Sequence, residues 1–261
     1  MESLVSDNAA LALVAGLVGL LIGSFLNVCI VRLPADQSVV TPRSHCPSCG
    51  QQIAWFDNIP VVSWLLLRGK CRGCGAAIAA LYPLVELATA LLWAWMAWRF
   101  GLTLVGLKGA LFTTILLGIA MTDAREFQIP DEFTIGGLVL GLVFAAVGGS
   151  AELLQAALGA GAGFLLLWVV GQGGTWLFKE EAMGGGDIKM MAMVGAFVGW
   201  QGVLLTVFLG ALVGTAIFLP LTMLGRKGLV PFGVFLALGA AITYLVGPAI
   251  ISWYRAFLGA A

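Results

Sequence analysis

Two aspartates carry the side chains best placed for chemistry in this sequence. Asp123 ends an apolar run in Met121-Thr-Asp-Ala-Arg125, and Asp187 follows three glycines in Met183-Gly-Gly-Gly-Asp-Ile-Lys189. An ionisable side chain at the edge of lipid is costly to keep and usually has a task. Two carboxylates brought close do not both ionise easily. One stays charged and takes a proton from water, while the other keeps its proton and polarises a carbonyl. That is aspartic-protease chemistry, and it needs neither metal nor cofactor. Each residue alone also has a structural alternative. Asp187 could cap a helix after its glycine loop, and Asp123 could be a solvated helix end paired with Arg125. Asp131, after Pro130, reads as the N-cap of the next helix.

Four cysteines offer a second kind of chemistry. Cys46-Pro-Ser-Cys49 and Cys71-Arg-Gly-Cys74 are two Cys-x-x-Cys knuckles, able to supply four thiolates to one tetrahedral zinc ion. The 21 residues between Cys49 and Cys71 slightly exceed the usual gap. Disulfides or free thiols are the alternative, and a cytoplasmic location argues against disulfides. Cys29 lies within the first apolar run and reads as a small packing residue. His45 is the only histidine, and with four cysteines completing the tetrahedron it reads as a solvated loop residue. A lone histidine makes a serine–histidine triad hard to build and excludes a His-Glu-x-x-His zinc protease.

These groups need elements to hold them, and composition says which. The chain is 61% hydrophobic and 10% charged, against about 25% charged residues in soluble domains. The bilayer is its natural solvent. Thirteen basic residues balance thirteen acidic ones, so no basic excess supports nucleic-acid binding. Apolar runs place spans at about 9–31, 82–98, 104–122, 133–149, 152–172, 188–200, 203–223 and 230–251. The 188–200 run is short enough to be partly embedded or to merge with its neighbour. Glycine pairs such as Gly137/Gly141, Gly195/Gly199 and Gly210/Gly214 suit close helix packing in lipid. The expected fold is all-α: a polytopic bundle of about eight transmembrane helices with a small zinc-binding cytoplasmic domain. Residues 1–31 form the first helix, 32–81 the cysteine domain and 82–261 the peptidase bundle.

Charge sets the orientation. Glu2 and Asp7 precede the first run, no positive charge does, and Arg32 follows it, which predicts an amino terminus outside and no typical cleavable signal. Threading the spans alternately leaves Arg32, Arg43, Arg68, Lys70, Arg72, Arg125, Lys179, Lys189, Arg226 and Lys227 inside. Arg99, Lys108 and Arg255 fall outside. That bias fits the positive-inside rule and puts Asp123 and Asp187 at cytoplasmic helix ends of similar depth. A small transporter would share the helices, glycines and acids, but it is expected to show related halves, and no such repeat is visible.

Taken in order, the motifs resemble those of the type IV prepilin peptidases. Gly23-Ser-Phe-Leu-Asn-Val28 with Arg32-Leu-Pro34 resembles the family's first-helix signature. The two knuckles, with Asn58-Ile-Pro-Val-Val-Ser-Trp64 between them, resemble its cytoplasmic cysteine domain. Tyr82-Pro-Leu-Val-Glu86 resembles the start of its second helix. Asp123, eight residues before Asp131 of Ile129-Pro-Asp131, resembles the first aspartate motif, and Met183–Lys189 the Gly-x-Gly-Asp motif. Pro231-Phe-Gly233 and Phe235-Leu-Ala-Leu-Gly239 resemble the last signature. The resemblance runs from about residue 23 to 240.

It implies an inner-membrane enzyme that cleaves the positively charged leader of prepilins or pseudopilins on the cytoplasmic side. It also implies methylation of the new amino terminus with S-adenosylmethionine. Asp123 and Asp187 take the catalytic positions, and Cys46, Cys49, Cys71 and Cys74 the metal positions. Gly69 and Lys70 are the candidates for the methyl-donor site, and Glu86 is a buried structural carboxylate or part of the methylation site. The family often carries arginine before Tyr-Pro-Leu-Val-Glu. Leu81 stands there in this chain, which bears on methylation more than on cleavage. Membrane lipid and the pilin precursor are the expected partners.

Overall fold

A computed structural model describes residues 2–180, 182–223 and 230–259. Arg226 and Lys227 of the charge tally lie outside them. The longer helices are α1 (Glu2–Arg32), α3 (Leu81–Phe100), α4 (Leu104–Glu126), α5 (Asp131–Gly148), α6 (Ser150–Phe178), α7 (Gly185–Met223) and α8 (Phe232–Phe257), with a short α2 (Val62–Leu66). Among the described residues there is no strand, and seven helices are long and apolar enough to cross a membrane. The chain divides into two compact units, Met1–Thr114 and Ile115–Ala261.

In the first unit, α1 and α3 run antiparallel at very close range. A Cβ on Gly19 would meet Ala90 Cα at 2.8 Å, and one on Gly23 would meet Glu86 Cα at 2.7 Å. Only glycine allows backbones so near, and in lipid such packing holds helices together. Asn27 Nδ2 donates to Tyr82 O at 3.0 Å on the same seam. The cysteine segment follows α1 directly. Arg32 donates to Ser38 O and Pro42 O, both at 2.8 Å, and so folds the loop that leads into the first knuckle.

In the second unit the short 188–200 run merges with its neighbour, one of the two expected outcomes. The runs 188–200 and 203–223 form one continuous element, α7, broken at Gly199, whose φ of 71° and ψ of 173° are not helical. The neighbours of α7 show that the chain reverses there. Gly214 of α7 packs on Phe235, near the start of α8, whereas Gly202 packs on Thr243, two turns further along. A straight helix would carry Gly214 about 40 Å from Asp187. Yet Phe235 is two residues from Gly233, and Gly233 and Gly186, which precedes Asp187, both pack on Ile129. The two arms of α7 therefore fold back on each other at Gly199, and the two expected runs fall in one of the seven candidate spans.

Glycines also make the seam between α6 and the first arm of α7. A Cβ on Gly195 would lie 2.0 Å from Gly159 O, and one on Gly163 would lie 2.0 Å from Met191 O. Gly137 and Gly141 of α5 receive Met193 and Phe197 of the same arm. The glycine pairs thus serve as packing surfaces, with Gly199 also supplying the reversal through a backbone angle that other residues adopt poorly.

Candidate functional site

Asp123 and Asp187 lie at the same end of the second unit, where Gly233, against Asp123, and Gly186, before Asp187, both pack on Ile129. Asp123 sits in the last turn of α4, 6% exposed. Its Oδ2 accepts the Val234 N–H at 3.0 Å, and the Gly233 N–H also donates to this carboxylate. Both amides belong to the first turn of α8, where N–H groups lack intrahelical partners and the helix dipole is positive. The solvated helix end paired with Arg125 is thereby set aside: Asp123 is buried and Arg125 is exposed. Asp187 lies in the first turn of α7, which begins two residues earlier at Gly185, so it is not the N-cap. Its Oδ1 is buried with no hydrogen-bond partner. A buried carboxylate oxygen left over, at the same end of the unit as a second carboxylate, suits a shared proton and an attacking water.

Asp131 corrects an expectation. The cap position is held by Pro130, with extended angles of −60° and 142°, and Asp131 is the first helical residue with no capping bond from its side chain. Its carboxylate instead accepts from Lys189, joining the starts of α5 and α7. The fixed φ of proline and its missing N–H favour the boundary there and leave the aspartate free for the lysine.

The sequence did not assign roles to Gly233 and Val234, although Pro231-Phe-Gly233 stood out. A Cβ on Gly233 would lie 2.9 Å from Asp123 Oδ2 and 2.7 Å from Ile129 Cδ1. Gly233→Ala should therefore push the carboxylate off its amides. Displacements near 1 Å can cost about 100-fold in rate, so kcat should fall by about ten- to a hundredfold with KM little changed. Steady-state kinetics on purified variant checks this, and an unchanged kcat would show that the glycine is not needed for the fit.

In the first unit the four thiols converge. Ligand atoms of Cys46, Cys49, Cys71 and Cys74 all lie within 4.8 Å of one another, and Cys46 Sγ is 3.8 Å from Cys74 Sγ. Tetrahedral coordination with metal–sulfur bonds of about 2.3 Å puts sulfurs about 3.8 Å apart, so the set fits a metal ion. No disulfide joins them. The knuckles are copies 25 residues apart. Cys46 N donates to Gln51 O at 2.9 Å and Gly50 N to Cys46 O at 2.9 Å; Cys71 N donates to Ala76 O at 2.8 Å and Gly75 N to Cys71 O at 2.9 Å. Gly50 and Gly75 both take positive φ, 69° and 74°, at the turn. Amides of Cys49 and Ser48 donate to Cys46 and hold its thiol down at about 6, which favours the thiolate form that binds a metal. Arg72, inside the second knuckle, grips Asp57 with two bonds of 2.8 and 2.6 Å and holds that carboxyl below its usual range.

Gly69 and Lys70 enter the second knuckle. Gly69 has φ of 66°, and a Cβ there would lie 2.9 Å from the Trp64 ring. Lys70 pairs with Ala77 in a bridge and points an exposed side chain outward. A cavity of about 260 Å³ in this unit is lined by Arg32, Arg43 and Trp55 among others, and not by Gly69 or Lys70. Glu86 is buried, and its Oε2 accepts the Val61 N–H at 2.7 Å. His45 is exposed, as expected.

Comparison with known proteins gives two family matches. The Bacterial Peptidase A24 N-terminal domain matches residues 17–100, and the Type IV leader peptidase family matches residues 110–219. A Pseudomonas aeruginosa protein named Prepilin leader peptidase/N-methyltransferase is 40% identical, with 99% of this chain and 98% of the relative covered. One of the same name from Stutzerimonas stutzeri is 38% identical over 98% of each. Another, from Myxococcus xanthus, is 41% identical over 80% of this chain and 63% of the relative. No solved structure matches.

Proposed function

The chain belongs to the type IV leader peptidase family, and on that premise we propose how its residues divide the work. It is a multi-pass membrane peptidase that cleaves prepilin leaders and carries N-methyltransferase activity. The observation that supports the catalytic assignment best is the buried, unpartnered Asp187 Oδ1 at the end of the unit where Asp123 is held by the start of α8. Asp123, held by two amides at the start of α8, takes the proton from water. The hydroxide attacks the scissile carbonyl, and Asp187 gives its proton to the carbonyl oxygen. Collapse of the tetrahedral adduct breaks the C–N bond and releases the amine with the proton Asp123 took, while Asp187 takes its proton back from the adduct's hydroxyl as the new carboxyl forms. Helical backbone shields its carbonyls in hydrogen bonds, so the substrate must unwind locally. The glycines at 184–186 let an extended strand approach Asp187 closely.

The metal is zinc, held by Cys46, Cys49, Cys71 and Cys74, and its role is to fold the domain. The enzyme sits in the bacterial inner membrane with its amino terminus outside. The cysteine domain and the aspartates are cytoplasmic, where the leaders of prepilins or pseudopilins lie. S-adenosylmethionine supplies the methyl group for the new amino terminus, and the cationic Lys70 offers a partner for its carboxylate. Gly69 packs under Trp64 and serves by shaping the turn.

Mass spectrometry of a prepilin incubated with the purified enzyme tests both activities at once, since leader loss and methyl gain differ in mass. Cleavage should survive withdrawal of S-adenosylmethionine, whereas methylation should stop. Lys70→Ala should lower methylation at least tenfold and cleavage less than twofold. Equal loss of both products in a folded variant would remove Lys70 from the donor site.

A further inference from the structure

We propose that residues 55–66, between the two knuckles, lie in the interfacial layer of the bilayer and anchor the metal domain to the membrane surface. Val62, Leu65 and Leu66 occupy i, i+3 and i+4 of α2 and share one face. They are 47%, 61% and 78% exposed, and Trp55 and Ile59 are exposed beside them. The other face turns inward. Ser63 is buried and donates to Phe56 O at 2.9 Å, and Trp64 Nε1 donates to Ile78 O at 3.1 Å on the second knuckle. So many large apolar side chains on one short segment are unusual on a surface that faces only water.

Depth decides what covers them. The Val61 N–H is held by Glu86 Oε2, and Glu86 lies in the second turn of α3 directly against Gly23 of α1. Gly23 is nine residues before Arg32, or about 14 Å of helix. Even with the glutamate leaning back toward the start of α3, Val61 sits below Arg32, beside the apolar body of α1. Leu21 and Phe25 face outward at that level, 64% and 55% exposed. The apolar face of α2 therefore lies at the depth of the exposed apolar side chains of α1. Val61 has φ of 60°, costly for a β-branched residue, and the Glu86 bond holds the chain in it. The exposed cations Arg68 and Lys70 follow α2, as at the polar edge of an interfacial helix.

The anchor keeps the methylating domain at the height where a membrane-held substrate presents its new amino terminus. That consequence rests on the methyltransferase reading above. The test uses full-length protein in phosphatidylcholine vesicles containing a few percent of a lipid with a photoactivatable acyl chain, with no prepilin present. After irradiation and digestion, lipid adducts should map to residues 55–66 at a frequency comparable to the peptide holding Leu21 and Phe25. Labelling of that α1 peptide without any at 55–66 would overturn the proposal. A segment labelled only by a photoactivatable prepilin would assign the face to substrate and overturn it equally. The double variant Leu65→Glu/Leu66→Glu should lose at least four-fifths of the adducts at 55–66 and keep its metal. Methylation should fall at least tenfold with cleavage within twofold, and unchanged methylation would overturn the role of the anchor. Native protein that gives the adducts but no methylated product would count against the methyltransferase reading and leave the anchor standing.

Discussion

Asp123→Asn and Asp187→Asn are each expected to abolish detectable prepilin cleavage, a fall of about a thousandfold or more, while the protein still inserts and unfolds cooperatively. Asparagine keeps the shape of aspartate. At position 123 its amide oxygen can still accept the Val234 N–H, now 3.0 Å from Oδ2, so packing should suffer little. It cannot take a proton from water. At position 187 it has no acid proton to give to the carbonyl oxygen. The two groups act as one unit, so the double variant should be little worse than either single one. In the native enzyme the rate should fall at both pH extremes, because the pair works with one proton, and the two apparent pKa values belong to the pair. Asp131→Asn is the control. It loses only the ion pair to Lys189, whose members are 53% and 40% exposed, and such pairs contribute about 1 kcal/mol at most. Much activity should remain. The assay is initial-rate cleavage in detergent or lipid, with folding checked by thermal unfolding. Robust cleavage by either asparagine variant would sink the assignment.

What the sequence revealed and what it hid divide along a physical line. Features fixed by local spacing were legible. Two Cys-x-x-Cys pairs announce a candidate metal site because each tight turn presents two thiols together, and the four lie within 4.8 Å. Aspartates at the ends of apolar runs stand out because lipid penalises an idle charge, and Asp123 is buried as that reading expects. Features fixed by distant partners were not legible. The use of Asp123 as an acceptor for α8 joins positions 111 residues apart, and nothing in Phe232-Gly-Val234 shows it. Gly199 resembles the packing glycines around it, and only its backbone angles reveal a reversal. Asp131 follows the pattern of an N-cap, yet Lys189, 58 residues away, takes its carboxylate. The 25-residue repeat of the knuckles was present in the sequence as Cys-x-x-Cys-Gly, but its meaning lies in the repeated backbone bonds.

Removing the metal should unfold the cysteine domain outright, and this is the second large effect. The protein as purified should contain about one zinc per chain by elemental analysis. Cys46→Ser, or a strong chelator, should release it. Structural zinc contributes on the order of 10 kcal/mol of binding free energy in small domains. Little else is available to replace it. The domain has two isolated bridges, one Arg72–Asp57 pair that is partly solvated, and a core in which Cys46 is itself one of the buried side chains. Stripped protein should thus become susceptible to protease between α1 and α3 while the bundle helices stay protected. Acid should act in the same direction. Thiolate ligands take up protons in acid: Cys46, held down at about 6, stays ionised until pH falls toward that value, whereas its neighbour Cys74 is raised to about 11 and needs the metal to stay ionised. Zinc retention should fall over that acidic range, and the Asp57 carboxylate, lowered by Arg72, should fail only in more acidic solution. Limited proteolysis read by mass spectrometry, with metal content followed in parallel, gives the result. Protein that contains neither zinc nor iron and has both cysteine pairs oxidised would show that disulfides hold this domain instead.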